Sequence, residues 1–306
     1  MHGRTHQTKE DDLSQLKRIL AATDLSAPAR HAAERAALIG KETGASLDLL
    51  YVANLAPLER LRQLMGIAPA DMEQRVLDAA RQKLRDLAAS LQQRYGIAPG
   101  VHLASGALLA ELAKEADALA ADLLVCGAKG ESLIRRFVLG TTALRILSTT
   151  TCPVLVVKLP PHEPYRRLLV PVDFSPSSLR AIRHARSVAP QADIVLLHAF
   201  EVPFEGQLRY ASVDEDTIHR YRIVARQEAL QKLHALRDEA GLPPEGTHLV
   251  VLHGNPTLRI TEQEQECDCD LIVMGKHGEN FLEELLLGSV TKHVLAESQG
   301  DVLVSV

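Results

Sequence analysis

Two stretches of this 306-residue chain carry one arrangement of glycines. The first reads Gly127-x-x-Gly130, nine residues, then Gly140-Thr141-Thr142; the second reads Gly275-x-x-Gly278, nine residues, then Gly288-Ser289-Val290. Glycine lets the backbone take positive φ and lets an anion approach without a Cβ in the way. Backbone N–H groups in such a turn form an anion nest, and a helix that starts at Thr141 or Ser289 presents a positive N-terminus to a phosphate. Each stretch has a partner aspartate that closes an apolar run, Asp24 after ILAAT and Asp173 after LLVPV. A carboxylate across the crevice could accept from a ribose hydroxyl or hold a metal on the phosphates. The chain has neither the GxxxxGK[ST] of a Walker A loop nor the GxGxxG of a dinucleotide site. A single such loop would be equally well explained by tight turns; its recurrence, each time with an aspartate, favours the phosphate reading.

These residues are held by a duplicated framework. Asp24 to Asp173 spans 149 positions, and Gly106 to Gly254, Gly127 to Gly275 and Gly140 to Gly288 each span 148. That period is domain-sized, far above a solenoid unit. It predicts a polar tail over 1–16, a first domain over 17–158, a linker over 159–165 and a second domain over 166–306. Pro160, Pro161 and Pro164 keep the linker from forming a helix or a central strand. Within the first copy, apolar runs at 18–23, 46–52, 101–104, 122–126 and 153–157 alternate with amphipathic stretches at 27–44, 71–95, 107–119 and 141–150. The second copy places its runs at 167–172, 193–199, 248–252, 270–274 and 301–305. Near-continuous apolar strands alternating with helices specify a parallel sheet covered on both faces, and right-handed crossovers make each copy a doubly wound α/β domain. In such sheets ligands bind beyond the C-terminal strand ends, where the order of strands reverses. Ser26 and Ser175 are positioned as helix N-caps, with Pro176 at a first helical position.

Composition narrows the function. Asp and Glu outnumber Lys and Arg by 39 to 34, so the formal charge is −5, against the basic balance of a nucleic-acid binder. No run of about 18 apolar residues is present, so no membrane span is expected, and the N-terminus is polar where a signal peptide needs an apolar segment. With 3% aromatics and no Trp, the core must be built from Ala, Leu, Ile and Val. Four cysteines make no disulfide scaffold and fit a reducing compartment, so a cytoplasmic protein is expected.

The arrangement resembles the universal stress protein family, specifically its ATP-binding branch with the motif G-x2-G-x9-G-[S/T]. The likeness rests on ILAATDLS with GAKGESLIRRFVLGTT and, a second time, on LLVPVDFS with GKHGENFLEELLLGSV. It implies two tandem five-stranded, Rossmann-like parallel sheets of order 3-2-1-4-5, with the switch point between strands one and four. It implies that Asp24 and Asp173 lie beside the ribose and phosphates, and that the backbones of Val52 and Ala199 meet the adenine. Gly127, Gly130, Gly140, Thr141 and Thr142 would hold phosphates in the first copy; Gly275, Gly278, Gly288, Ser289 and Val290 would do so in the second. Ala22 stands where the family often has the proline that the second copy keeps as Pro171. The implied ligand is ATP, or AMP or ADP, with Mg²⁺, and the implied role is that of a stress sensor or regulator rather than an efficient enzyme. An interaction module with vestigial sites and a slow ATP hydrolase are the alternatives. The family's habit of pairing sheet edges suggests an intrachain pseudo-dimer through 153–157 and 301–305, with a homodimer also open.

Other residues read more simply. Cys267-x-Cys269 lacks the four ligands of a closed zinc site. Cys126 and Cys152 read as core thiols. None of the 13 histidines sits in a catalytic motif; His277 lies in the cradle and His198 closes a strand. Arg135 and Arg136 of the first copy correspond to Glu283 and Glu284 of the second; these read first as solvated positions on a loop or short helix, and functionally as a contrast that would bias an anion toward the first copy.

Overall fold

The computed structural model describes residues 15–56, 71–128, 140–202, 213–277 and 287–306. The chain divides into two compact units that meet in sequence at Pro164 and Tyr165. The first half contains β1 (Arg18–Ala22), α1 (Ala27–Thr43), β2 (Ser46–Ala53), α2 (Asp71–Tyr95), β3 (Gly100–Ser105), α3 (Leu108–Ala118), β4 (Leu123–Gly127), α4 (Thr141–Thr149) and β5 (Val154–Val157). The second contains β6 (Arg167–Pro171), α5 (Pro176–Val188), β7 (Asp193–Phe200), α6 (Glu215–Glu239), β8 (Thr247–His253), α7 (Pro256–Glu266), β9 (Leu271–Gly275), α8 (Ser289–Glu297) and β10 (Asp301–Ser305).

In the first half the strands run in the order β3-β2-β1-β4-β5; in the second, β8-β7-β6-β9-β10. The strand pairs within each half are parallel. Both halves are thus α/β domains of order 3-2-1-4-5, and the order reverses between the first and fourth strands. Ile19, Leu20 and Ala21 of β1, like Leu168, Leu169 and Val170 of β6, are fully buried. Their near-continuous apolar character follows from helices on both faces. Burying each such Leu or Ile contributes roughly 1.5–3 kcal/mol.

The small residues explain how a core with few aromatics is filled. Helix α1 presents Ala29, Ala32, Ala33, Ala36 and Ala37 to the sheet, all buried. A Cβ on Gly40, further along that face, would stand 2.9 Å from the Ala45 carbonyl oxygen. Ser26 caps the helix by accepting from the Ala29 N–H, and Gly44, at φ 78°, ends it with its N–H on the Gly40 carbonyl.

One structural device is built twice. The Asp122 carboxylate accepts the N–H groups of Lys17 and Arg18 at 2.9 and 2.8 Å, and Asp270 accepts those of Arg166 and Arg167 at 2.7 and 3.0 Å. The Arg18 guanidinium donates to the Leu119 carbonyl and that of Arg167 to the Cys267 carbonyl. Leu119 and Cys267 are the C-cap residues of α3 and α7. The basic residue opening each repeat therefore satisfies an orphan helix carbonyl and fixes the first strand beside the fourth. It is a scaffold element, at the opposite end of the strands from the aspartates Asp24 and Asp173.

Candidate functional site

At the C-terminal ends of the first half's strands lies a cavity of about 540 Å³. That size suits a small ligand. Ala22, Thr23 and Asp24 form the wall that follows β1, and Leu50, Val52 and Asn54 form the wall that follows β2. Cys126, Gly127 and Ala128 come from the end of β4, with Gly140, Thr141 and Thr142 at the start of α4. Of the residues expected from the sequence in this half, Ala22, Asp24, Val52, Gly127, Gly140, Thr141 and Thr142 come together here. Gly130, Arg135 and Arg136 lie outside the described residues.

The loop after β3 also borders the cavity, through Gly106, Ala107, Leu108 and Leu109, and so does Arg145 of α4. Sequence reasoning missed these, although Gly106 and Gly254 recur at the repeat spacing. Their φ angles of 142° and 129° explain why both are glycine.

Polar satisfaction around the cavity is uneven. Helix α4 begins after Gly140 and α3 after Ala107, and neither has a side-chain cap. By contrast α1, α6 and α7 are capped by Ser26, Asp214 and Asn255. Two helix N-termini at this cavity therefore lack the side-chain oxygen that would take their first N–H groups, and those groups suit an anion. The fourth strand is tied in by the Ala128 N–H on Val157 and the Gly140 N–H on Ala128, both 2.8 Å.

Opposite them, the turn after β1 is strained. Leu25, next to Asp24, holds φ 66°, and Phe174, next to Asp173, holds φ 65°. Side chains with a Cβ rarely adopt this region, which is found where the surroundings enforce it and often beside functional groups. The turn is clamped by its own side chains: Asp24 Oδ1 accepts from the Ser26 N–H at 3.0 Å, and Thr23 Oγ1 accepts from the Leu25 N–H at 3.0 Å. Neither positive φ was foreseen, because Leu and Phe give no such signal.

The second half builds the same turn with more hydroxyls. Asp173 Oδ1 accepts from the Ser175 N–H at 3.0 Å, the Ser175 hydroxyl at 2.5 Å and the Ser178 hydroxyl at 2.7 Å. The Ser177 hydroxyl donates its one hydrogen to the His277 backbone carbonyl at 2.9 Å, and its oxygen stands 2.7 Å from that of Ser175. Pro171 ends β6 opposite Leu197, and Ala199 lies on β7 opposite Leu252 of β8. Gly275 ends β9, Gly288 precedes α8 without a side-chain cap, and Ser289 and Val290 open that helix. The Thr291 hydroxyl donates to the Gly275 carbonyl at 3.0 Å. Gly278, Glu283 and Glu284 lie outside the described residues.

His198 and the cysteines are held by the fold. The His198 imidazole bonds through Nδ1 to the Val172 carbonyl at 2.9 Å and packs 4.4 Å from the Phe174 ring, with Lys232 on that ring at 5.6 Å. Burial holds its pKa below the usual histidine range. All four cysteines are free; burial pushes the thiols of Cys126, Cys152 and Cys269 up to about 12, far from thiolate chemistry at neutral pH. Cys267 accepts a hydrogen bond from the Gln263 amide at 2.8 Å. Among the described residues no group of three or more His, Cys, Asp and Glu is placed to hold a metal ion, and no helix is long and apolar enough to cross a membrane.

Residues 15–158 and 164–305 each match the universal stress protein family. This chain belongs to that family, as a tandem of two of its domains. A universal stress protein of Methanocaldococcus jannaschii is 34% identical over 143 residues, 46% of this chain and 81% of that protein. One from Mycobacterium bovis is 28% identical over 193 residues, 60% of this chain and 58% of that protein. Among solved structures, a universal stress protein from Archaeoglobus fulgidus superposes with a TM-score of 0.67 at 20% identity, covering 94% of this chain and 97% of that one. That likeness speaks for the two-domain fold.

Proposed function

We propose that this universal stress protein binds an adenine nucleotide in the cavity of its first half and acts as a regulator rather than as an efficient enzyme. One observation carries the reading. The cavity of about 540 Å³ sets a carboxylate, Asp24, against Gly127, Gly140 and Thr141, and two helix N-termini without side-chain caps open on it. Phosphates would lie on the N–H groups at the start of α4, beside Thr141 and Thr142. Asp24 would face the ribose or a Mg²⁺ ion on the phosphates. The apolar side, with Ala22, Leu50 and the backbone of Val52, would take the base.

The same reading has the two halves act as an intrachain pseudo-dimer through β5 and β10, each the outermost strand after β4 or β9 in its own half, and places the protein in the cytoplasm, where four unbridged cysteines are at home. Calorimetric titration with Mg²⁺-ATP and with Mg²⁺-GTP tests the nucleotide claim. The expected result is saturable heat with ATP and much weaker binding of GTP. Absence of saturable ATP binding would overturn it.

A further inference from the structure

The two halves are equivalent in fold but not in how their polar groups are satisfied. Three places show it. At the first, Ala107 precedes α3 in the first half, and its repeat counterpart Asn255 precedes α7 in the second. Ala107 offers no side-chain acceptor. The Asn255 side chain accepts from the Thr257 N–H at 3.1 Å and the Leu258 N–H at 3.4 Å, so α7 carries its own cap.

At the second, Pro28 and Ala29 of the first half correspond to Ser177 and Ser178 of the second. Ala29 lines the open cavity. Ser178 instead places its hydroxyl on Asp173, where the Asp173 N–H also donates back to it at 3.0 Å. With the two donors from Ser175, the Oδ1 atom of Asp173 takes three protein hydrogens. A carboxylate oxygen accepts about two such bonds comfortably, so this atom has nothing left for a ribose hydroxyl or a metal.

At the third, Ser177 packs against Gly275 of β9, where the first half has Pro28 in place of the serine. A Cβ built on Gly275 would stand 3.0 Å from Ser177 Oγ and 3.1 Å from Ser177 Cβ and the His277 carbonyl oxygen. The glycine at this position admits the protein's own serine. Because that serine also donates to the His277 carbonyl, it ties the loop after β6 to the loop after β9 across the crevice.

We infer that Ser177, Ser178 and Asn255 close the second crevice from within, so that the chain takes one nucleotide, in its first half. The second half then serves as a framework domain. This rests on the nucleotide reading above.

Equilibrium dialysis of the full chain against a Mg²⁺ complex of a non-hydrolysable ATP analogue tests it. The expected stoichiometry is one per chain. The variant Ser177→Ala/Ser178→Ala/Asn255→Ala, which removes the serine bridge, the Ser178 bond and the helix cap, should rise to two per chain. The reverse change, Ala107→Asn, adds a favoured cap residue and so keeps the fold; it should weaken the single site at least tenfold by taking the N–H groups of α3. Two nucleotides per wild-type chain would overturn the inference, as would unchanged affinity in Ala107→Asn or a stoichiometry of one in the folded triple variant. No binding to the wild type would overturn the nucleotide reading itself, and is distinguishable from those results by the count.

Discussion

The turns after β1 and β6 have the same backbone, down to the positive φ at Leu25 and Phe174, yet they handle their aspartates in opposite ways. Asp24 borders a cavity, whereas Asp173 sits under a canopy of serine hydroxyls. Part of the difference comes from two adjacent positions, Pro28-Ala29 against Ser177-Ser178, and part from Ser175, whose hydroxyl donates to Asp173 while Ser26 in the same place caps its helix. A duplicated fold keeps its frame because strand pairing and the anchors at Asp122 and Asp270 depend on it in both copies. Satisfaction of the crevice is local and can be changed one side chain at a time.

A second contrast lies deeper in the same two helices and has the largest expected effect. Arg35 on α1 is buried and donates through Nη1 to the Glu163 carbonyl at 2.8 Å. Its counterpart on α5 is His184, also buried, whose Nδ1 meets the Ser305 hydroxyl at 2.7 Å. Burial, and secondarily the nearby Arg180, brings the His184 pKa down to about 4. The folded form thus excludes a proton that the unfolded chain accepts near pH 6.5. Stability from this group is complete above pH 6.5 and is lost as pH falls through that value toward 4, by roughly 3 kcal/mol. Urea unfolding at pH 7.5, 5.5 and 4.5 should show the second half weakening first, and His184→Gln should remove most of the slope.

Next in size is the contrast between the aspartates. Asp173→Ala leaves the Ser175 and Ser178 donors without their acceptor and should cost about 2–3 kcal/mol of stability, with nucleotide binding retained. Asp24→Ala should cost about 1 kcal/mol or less while lowering ATP affinity by roughly tenfold or more. Thermal unfolding and calorimetry on both variants check the pair; interchangeable phenotypes would erase the distinction.

The smallest effect concerns the serines that precede the helices. Ser26→Ala removes one cap bond to Ala29 and should cost about 0.5–1 kcal/mol. Ser175→Ala should cost more, because its hydroxyl contacts both Asp173 and Ser177. Comparing the two by chemical denaturation sharpens the claim that the second turn is the more tightly knit.

Much of this was legible beforehand. The 148-residue repeat and the alternation of apolar runs with helical stretches specified two doubly wound domains, because buried parallel strands have no polar face to blur the pattern. The first-half site was legible in the repeated spacing of Gly127 and Gly140 rather than in a positive φ, since Gly140 holds φ −64°, a conformation open to any residue. Ala107 and Arg145 were not, since an alanine before a helix carries no signal until the absence of a cap is seen against a cavity. The charge contrast between Arg135-Arg136 and Glu283-Glu284 pointed to unequal halves. The described residues locate an inequality elsewhere, in uncharged Ser177, Ser178 and Asn255, whose meaning lies in which groups they touch.

The central claim is that a nucleotide occupies the first half and leaves the second empty, and photolabelling reads it directly. The full chain would be irradiated with an azido-adenine analogue of ATP and Mg²⁺, digested, and the labelled peptides identified by mass spectrometry. The account predicts label, competed by ATP, on segments that border the first cavity, around residues 50–54 and 106–109. Equal, ATP-competed label around residues 197–202 of the second half would contradict it.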